Sequence, residues 1–452
     1  MKYNMIVDYI RKEITQGKLA SGDKIPSIRE LCDKFSCTKT TAVRAYSRLK
    51  ELGIVYAVPG SGYFLIDNPA EENKSSAVLD FSGTALDQAT LPYNEFQPCV
   101  NQAMSKYKES LFSYSNPQGL DTLIEVLRKH LQGHQVFSNT DRIFVTTGSQ
   151  QALNILARMP FPNNRSNVVI EQPTYQGMIQ CLKQNGITAF GVCNAFNGLD
   201  FDSLERSFRN DNIKFFYTIP RFNNPLGLSY TNDDKKKILA LAEKYNVYIV
   251  EDDYLGDLES DPKSTPFFSF DSSDRVIYIK TFSKVLLPGL RVAVVVLPRL
   301  LINTFREYKY WNDINTPLLS QGALEIFITS GLFDLHIKRI REVYSRRMTY
   351  LRELTAKTIS PSIRWHIPTT GCFYAGLEIL NGIPERAAVK GLLFKNVLLP
   401  QNEVCYLKEF YNDKILRLSV AHVDIDQIKP GIQTIINEIE NGEVKFKNSI
   451  AL

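Results

Sequence analysis

Long apolar runs are missing from this chain: nowhere do about 18 apolar residues follow one another, the length a helix needs to cross a bilayer, so no membrane span is expected. The opening residues, MKYNMIVDYIRKEI, interleave acids and bases where a secretory leader would carry an apolar block, and the expected location is the cytoplasm. A disulfide framework is lacking too. The seven cysteines, an odd number, lie scattered at 32, 37, 99, 181, 193, 372 and 405, as reduced thiols do. Metal-ligand spacing is scarce: Cys32 and Cys37 have no second ligand pair nearby, and His130 and His134, four apart on an expected helix, have no third ligand in view, so no metal is expected. Repeats and low-complexity tracts are absent. What is present is bulk. At 452 residues and 44% hydrophobic content, the chain exceeds what one core usually serves, and two or three domains are expected.

Beyond residue 66 the chain has no net charge. Residues 1–66 hold 11 Lys+Arg against 6 Asp+Glu, and the rest holds 42 of each, so the whole excess of +5 sits in the first small segment. That is the distribution expected if this segment alone meets a polyanion. Within it, Met5, Ile6, Tyr9, Ile10 and Ile14 recur at helical spacing, ending near Gly17 and Lys18. Ser27, with Glu30 three residues on, caps a second helix whose apolar face is Ile28, Leu31 and Phe35. A turn at Ser36 and Cys37 leads to a third, with Val43, Tyr46 and Leu49 expected inward and Thr38, Lys39, Thr41 and Arg44 outward. Two strand-like runs, IVYAV and YFLI, follow Gly53 and are joined by PGSG. Hydroxyls and bases on an outer helix face suit phosphates and base edges; a small three-helix interaction module is the competing reading. The run from Gly17 to Leu31 and the helix Arg44 to Leu49 (RAYSRL) resemble the GntR-type winged helix-turn-helix. That resemblance implies contacts to double-stranded DNA from Arg29, Thr38, Lys39, Thr41, Arg44 and the wing residue Gly62, with Arg29 as a structural salt bridge the alternative.

Residues 67–77, DNPAEENKSSA, carry no hydrophobic pattern and are read as a solvated linker spanning at most roughly 35 to 40 Å. From 78 to 452, strand-like runs alternate with helical ones, which predicts an α/β body with a mostly parallel sheet and ligand chemistry at the strands' C-terminal ends. Each end carries a candidate group. After RIFVTTG, Gly148 permits a tight turn, and the amides of Ser149 and Gln150 open a helix, an anion site or an ordinary helix start. Tyr175 follows NVVIEQP, where its ring can stack on a flat ligand or fill the core. Asn224 precedes Pro225 in a turn and can bond a phenolic oxygen. Asp252 ends VYIVED, with Tyr254 two residues on; a buried carboxylate there needs a cation such as a protonated pyridine, while a loop acid in water needs none. Finally YIKTFSKVLLPGLRV places Thr281, Ser283, Lys284 and Arg291 together: hydroxyls and a guanidinium for a phosphate, and an amine able to join an aldehyde.

In order and spacing these motifs are similar to the pyridoxal 5′-phosphate site of fold-type I aminotransferases, over residues 78–452. The resemblance implies that Lys284 forms the internal aldimine, with Lys280 a poor rival, and that Asp252 keeps the ring nitrogen protonated. It further implies that Asn224 and Tyr254 bond the phenolic oxygen, Tyr175 stacks, and Ser149, Gln150, Thr281, Ser283 and Arg291 hold the phosphate. Tyr114, in YSNPQG, resembles a residue that reaches the neighbouring subunit's phosphate, which implies a homodimer. Arg417, in KILRLSVAHVD, resembles the arginine that binds a substrate carboxylate, with a structural ion pair the alternative. Two departures stand out: Leu226 replaces the usual threonine after Asn-Pro, and Cys372 stands where a second glycine is common. Head, linker and body together resemble the MocR subfamily, GabR-like regulators included. The expectation is a cofactor-dependent transcription regulator that senses a small amino compound, or the cofactor itself, and binds paired DNA half-sites. An active aminotransferase with an appended DNA-binding domain is the alternative.

Overall fold

In the computed structural model the described residues are 2–16, 18–19, 23–51, 54–58, 62–65, 78–369 and 371–450; Gly17, Gly53 and the linker 67–77 lie outside them. The chain divides into two compact units, Met1–Ala77 and Val78–Leu452.

The first unit packs α1 (Lys2–Thr15), α2 (Ile28–Phe35) and α3 (Lys39–Glu51) beside an antiparallel hairpin, β1 (Val55–Val58) and β2 (Gly62–Leu65). Ser27 and Glu30 form a reciprocal capping box, and Ser36 ends α2 in the left-handed conformation. Its core differs from the expected one at five positions. Met5 and Val43 are exposed, and Val7, Ala42 and Ala45 are buried instead, alongside Ile6, Ile10, Tyr46 and Leu49. On α3 the buried stripe runs 42, 45, 46, 49, an i, i+3, i+4, i+7 face on which small alanines let α1 approach closely. Tyr46 is the hub: its ring stacks on Tyr63 at 4.0 Å and its hydroxyl donates to the carbonyl of Pro26. The wing joins the segment before α2 through Ile25 N to Tyr63 O (3.0 Å) and Leu65 N to Asp23 O (3.0 Å).

The second unit is built on an eight-stranded sheet. In chain order its strands are β4 (Ile143–Thr146), β5 (Asn167–Gln172), β6 (Ala189–Ala195), β7 (Gly198–Leu199), β8 (Ile213–Thr218), β9 (Tyr248–Asp252), β10 (Val276–Thr281) and β11 (Ala293–Val296). They lie side by side as β4-β11-β10-β9-β8-β5-β6-β7, parallel except at β11 and the short β7. Every residue of β4, β8, β9, β10 and β11 is buried. This is why these strands read as continuous apolar runs: both faces are covered. The flanking helices include α4 (Tyr93–Tyr107), α5 (Asp121–Gln132), α6 (Ser149–Arg158), α7 (Gln176–Gln184), α8 (Phe201–Asn210), α9 (Asn232–Lys244) and α10 (Ile302–Asp313). The paired α11 (Leu318–Thr329) and α12 (Leu332–Lys357) lead to a smaller antiparallel sheet. That sheet has the order β12 (Ile363–His366), β13 (Tyr374–Ile379), β15 (Ile415–Ser419), and is flanked by α13 (Glu385–Leu393) and α14 (Ile425–Ile450). A two-residue strand β3 (Leu79–Asp80), at the start of the body, pairs in parallel with β14 (Val397–Leu398). No single helix among the described residues is long and apolar enough to cross a membrane; α11 and α12 pass that test only as a pair bent by 79°, and α11 is a core helix buried from Gln321 to Phe327.

Candidate functional site

Five strand ends deliver the expected groups to one place. β9 stops at Asp252, and β10 stops beside it at Thr281, three residues before Lys284. β8 runs into the loop carrying Asn224, β5 into the turn where Tyr175 caps α7, and β4 into Gly148, which caps α6. Because strands of one direction end on one side, a single cleft collects residues more than 100 positions apart.

Burial tunes this cleft. The Lys284 amine donates to the carbonyl of Thr84 at 2.7 Å. Desolvation, with the charges of Arg417 and Arg291, pulls its pKa down to about 8, against the attraction of Asp252. Asp252 is buried; that burial, reinforced by Asp253, pushes it up to about 7 despite a 2.8 Å bond from the Tyr217 hydroxyl and the charge of Lys284. Its second oxygen, Oδ1, is buried with no partner. A carboxylate oxygen left so is costly unless a donor arrives.

A second cluster sits at the start of α6. Gly148 has φ +77°, and a Cβ there would lie 2.5 Å from Arg291 Nη2, so the guanidinium rests against bare backbone. Arg291 itself is left-handed, at φ 54°. The Ser283 hydroxyl is buried without a partner, Thr281 Oγ1 accepts from Ser283 N at 3.2 Å, and Gln150 donates to the Tyr175 hydroxyl at 2.7 Å. Two positive or polar groups and a helix N-terminus thus converge where an anion would be held.

Arg417 is buried on β15 with no carboxylate beside it. It donates to Asn224 Oδ1 (3.4 Å) and to the carbonyl of Ser82 (2.9 Å), and its Nε is unpartnered. The ion-pair alternative therefore has no partner among the described residues. Tyr254 has spent its proton: its hydroxyl donates to the carbonyl of Phe222 at 2.6 Å, so toward a ligand it can only accept. Tyr114 is 82% exposed, and no described contact joins it to Lys284. Both departures noted in the sequence, Leu226 and Cys372, are fully buried.

Lys280 is elsewhere engaged. It is buried, its ammonium 2.6 Å from Asp257 Oδ2. Asp257 also supplies the third group that the sequence hid from His130 and His134, at 3.8 and 3.1 Å from their Nε2 atoms. Lys280 already neutralises this carboxylate, so a divalent ion would have to sit beside a buried ammonium. Burial drives His130 down to about 3 and keeps it neutral. Sequence reading also missed Glu171, at the end of β5. It is fully buried and accepts from Thr218 Oγ1, Ile219 N, Asn223 Nδ2, Asn194 Nδ2 and the Tyr230 hydroxyl, which fixes the loop bearing Asn224. The E-Q-P-T-Y string held that residue, but nothing local marked it as a hub.

In the first unit the outer face of α3 carries Thr38, Lys39 and Arg44 exposed and Thr41 half-buried. The Thr38 hydroxyl caps the helix by accepting from Thr41 N at 3.4 Å, and Arg44 lies over the Tyr3 ring. Arg29 is exposed, with no ion pair among the described residues. Gly62 has φ +113°, and a Cβ there would crowd Lys24 Cε at 3.2 Å, so the wing keeps a basic residue folded against it.

Residues 82–435 match the model of the aminotransferase class I and II family, and residues 2–65 that of the gntR family of bacterial regulatory proteins. The HTH-type transcriptional regulator YcxD of Bacillus subtilis, itself uncharacterized, is 38% identical over 97% of this chain and 100% of its own length. The chain belongs to the MocR-like regulators. Another relative, the HTH-type transcriptional regulator NorG of Staphylococcus aureus, is 23% identical over 92% of this chain and 99% of its own. Among solved structures, the kynurenine aminotransferase of Pyrococcus horikoshii, in complex with PMP, superposes with a TM-score of 0.75 at 27% identity, covering 81% of this chain and 92% of that one. LysN, an α-aminoadipate aminotransferase of Thermus thermophilus, gives 0.73 at 25% identity, covering 82% and 93%. The regulator thus joins a GntR DNA-binding head to a fold-type I aminotransferase body. Pyridoxal 5′-phosphate fits the residues present. The orphaned Asp252 Oδ1 suits a pyridinium N–H, and the Gly148–Arg291 contact with the orphaned Ser283 hydroxyl suits a phosphate.

Proposed function

We propose that this protein is a pyridoxal-phosphate-dependent transcription regulator whose body senses a small amino compound at Lys284. It acts as a cytoplasmic homodimer on paired DNA half-sites, with residues 1–66 as head, 67–77 as linker and 78–452 as body. The observation that carries the reading is the buried, unpartnered Asp252 oxygen in a cleft it shares with a Lys284 amine lowered to about 8. An acid and a base tuned toward each other by burial are what a cofactor with a basic ring nitrogen and an aldehyde requires.

When bound, the cofactor supplies an aldehyde carbon that amines attack and a ring that withdraws electrons. The chain supplies the rest. Lys284 is neutral enough near pH 8 to act as the attacking amine, and Asp252 holds a proton on the ring nitrogen. Asn224 donates its side-chain amide to the phenolic oxygen, while the Tyr254 hydroxyl, committed to Phe222, offers that oxygen only a lone pair. Tyr175, braced by Gln150, covers the ring. Ser149, Gln150, Thr281, Ser283 and Arg291 hold the phosphate, joined by Tyr114 of a second copy, which its exposure supports. Arg417 takes the carboxylate of the incoming amino compound. In the head, Thr38, Lys39, Thr41, Arg44, Arg29 and Gly62 meet DNA. An amino compound taking the place of Lys284 on the cofactor would change the weights of two forms of the body, and the DNA affinity of the paired heads would follow.

The test is an absorption titration with pyridoxal phosphate, with DNA binding measured on the same samples. A Lys284-dependent band near the visible edge, lost or shifted by an amino compound together with a change in DNA affinity, supports the reading. The second reading, a working aminotransferase, is favoured by the likeness of the body to solved aminotransferases. Sustained turnover of an amino donor with a keto acid would establish it. A third, sensing of the cofactor alone, would appear as a DNA response complete before any amine is added.

A further inference from the structure

The turn that opens α6 is gripped by the last residues of α10. Asp313 Oδ2 accepts from the Thr147 hydroxyl at 3.1 Å, and Asn312 Oδ1 accepts from Gln151 Nε2 at 2.9 Å. Gln151 in turn accepts from Thr147 N at 2.8 Å, so both ends of the segment 147–151 are tied to two consecutive residues of one helix. Between those ends stand Gly148, Ser149 and Gln150, the turn and amides assigned to the phosphate. The helix stops directly after Asp313, where Ile314 has φ 60°, a costly conformation for a β-branched side chain.

On its own, Asp313 would set a negative charge beside an anion site. Lys309, one turn earlier on the same helix, answers that charge. It is fully buried, and its ammonium lies 2.9 Å from Asp313 Oδ1 and 3.3 Å from Thr316 Oγ1. Thr316 Oγ1 donates to Val145 O at 3.1 Å, on the strand that runs into the turn. Burial pulls the pKa of the Lys309 amine down, and Asp313 opposes the pull. Fastening α10 to β4 needs no charge, because apolar side chains of the same bulk would pack there without the desolvation cost. The carboxylate has a use beyond fastening: it is the acceptor that orients Thr147.

We infer that Lys309 and Asp313 are positioning residues of the phosphate site: Asp313 fixes the turn through Thr147, and Lys309 cancels the charge that Asp313 would otherwise turn on the phosphate. The inference rests on the cofactor reading above. An unpaired carboxylate would oppose the same dianion that Arg291 and the N-terminus of α6 attract. With the ammonium beside it, the pair keeps the acceptor and sheds the net charge. The pair therefore acts on the phosphate and not on the ring, which Asp252, Asn224 and Tyr175 hold.

Absorption titrations of the full-length protein with pyridoxal phosphate and with pyridoxal, the same ring and aldehyde without the phosphate, test this. The readout is the ratio of the two affinities, which a general loosening of the fold would leave alone. Lys309→Met keeps the bulk of the side chain and removes its charge, and it is expected to lower the ratio at least about tenfold through weaker binding of pyridoxal phosphate. Adding Asp313→Asn to it restores neutrality and leaves Thr147 an acceptor, so the ratio is expected to return to within about twofold of the native one. A ratio unchanged in Lys309→Met, a loss equal for both compounds, or a double variant no better than the single one overturns the inference. If Lys309→Met does not fold, Asp313→Asn alone decides. A ratio at or above the native one supports the inference, since the buried cation is then unopposed, and a fall of about tenfold overturns it. Absence of a Lys284-dependent band with either compound in the native protein overturns the cofactor reading instead.

Discussion

Asp252 and Lys284 are moved in opposite directions by the same desolvation, and each movement has a measurable consequence. A lysine amine at about 8 is neutral in roughly a tenth of molecules near pH 7, against under a thousandth for an unshifted lysine. The rate of cofactor loading is expected to climb with pH and level off above about 8; a stopped-flow absorbance series still climbing at pH 10 would contradict the assignment. For Asp252 the sign follows from linkage. Its folded pKa, about 7, lies above the ordinary 3.8, so the folded cofactor-free protein holds a proton that the unfolded chain releases. Its contribution to stability is fully present below pH 3.8 and is lost as pH rises through about 7. Asp252→Asn should remove that component from urea-melt profiles taken across this range. It should also weaken cofactor binding by about 10- to 100-fold, the worth of one charge-assisted hydrogen bond, as read from an absorption titration.

At the scale of elements, the approach of Arg291 to the N-terminus of α6 depends on Gly148 having no side chain. Gly148→Ala should leave the sheet folded yet lower cofactor affinity by at least about tenfold, since it crowds the guanidinium and strains a positive-φ position. Affinity unchanged in an absorption titration would remove Arg291 from the anion site. In the head, Lys39→Ala or Arg44→Ala on α3 should weaken DNA binding across sequences and lower the slope of log affinity against log salt by about 1, measured by fluorescence anisotropy.

These elements were legible in the sequence to different depths. The capping box at Ser27 and Glu30 and the turn at Gly148 are local chemistry, and their residues announce them. Met5 and Val43 were misplaced because apolar character was weighed above helical phase: the alanines at 42 and 45 complete the buried stripe, and the valine beside them does not. The pairing of Asp257 with Lys280 and His134, the five donors on Glu171, and the ties of Ser82 and Thr84 to the cleft were out of reach. They join positions 23 to 335 residues apart, and two of them use backbone carbonyls, which no side-chain pattern encodes.

The whole molecule separates its two chemistries: all net positive charge lies in residues 1–66, and the body is balanced. DNA affinity should therefore be strongly salt-dependent and cofactor affinity less so, since Asp252, Asn224 and Thr281 are buried even though Arg291 of the anion site is exposed. The central claim is that Lys284 couples the two. The most direct measurement is DNA binding by the full-length protein and by Lys284→Ala, each with and without pyridoxal phosphate and an amino-acid panel, with absorbance recorded on the same samples. The account predicts a lysine-dependent band in the native protein only, and a DNA affinity that moves with that band when an amino acid reacts. Identical spectra and an identical DNA response in both proteins would contradict it, leaving the body as a scaffold that pairs two DNA-binding heads.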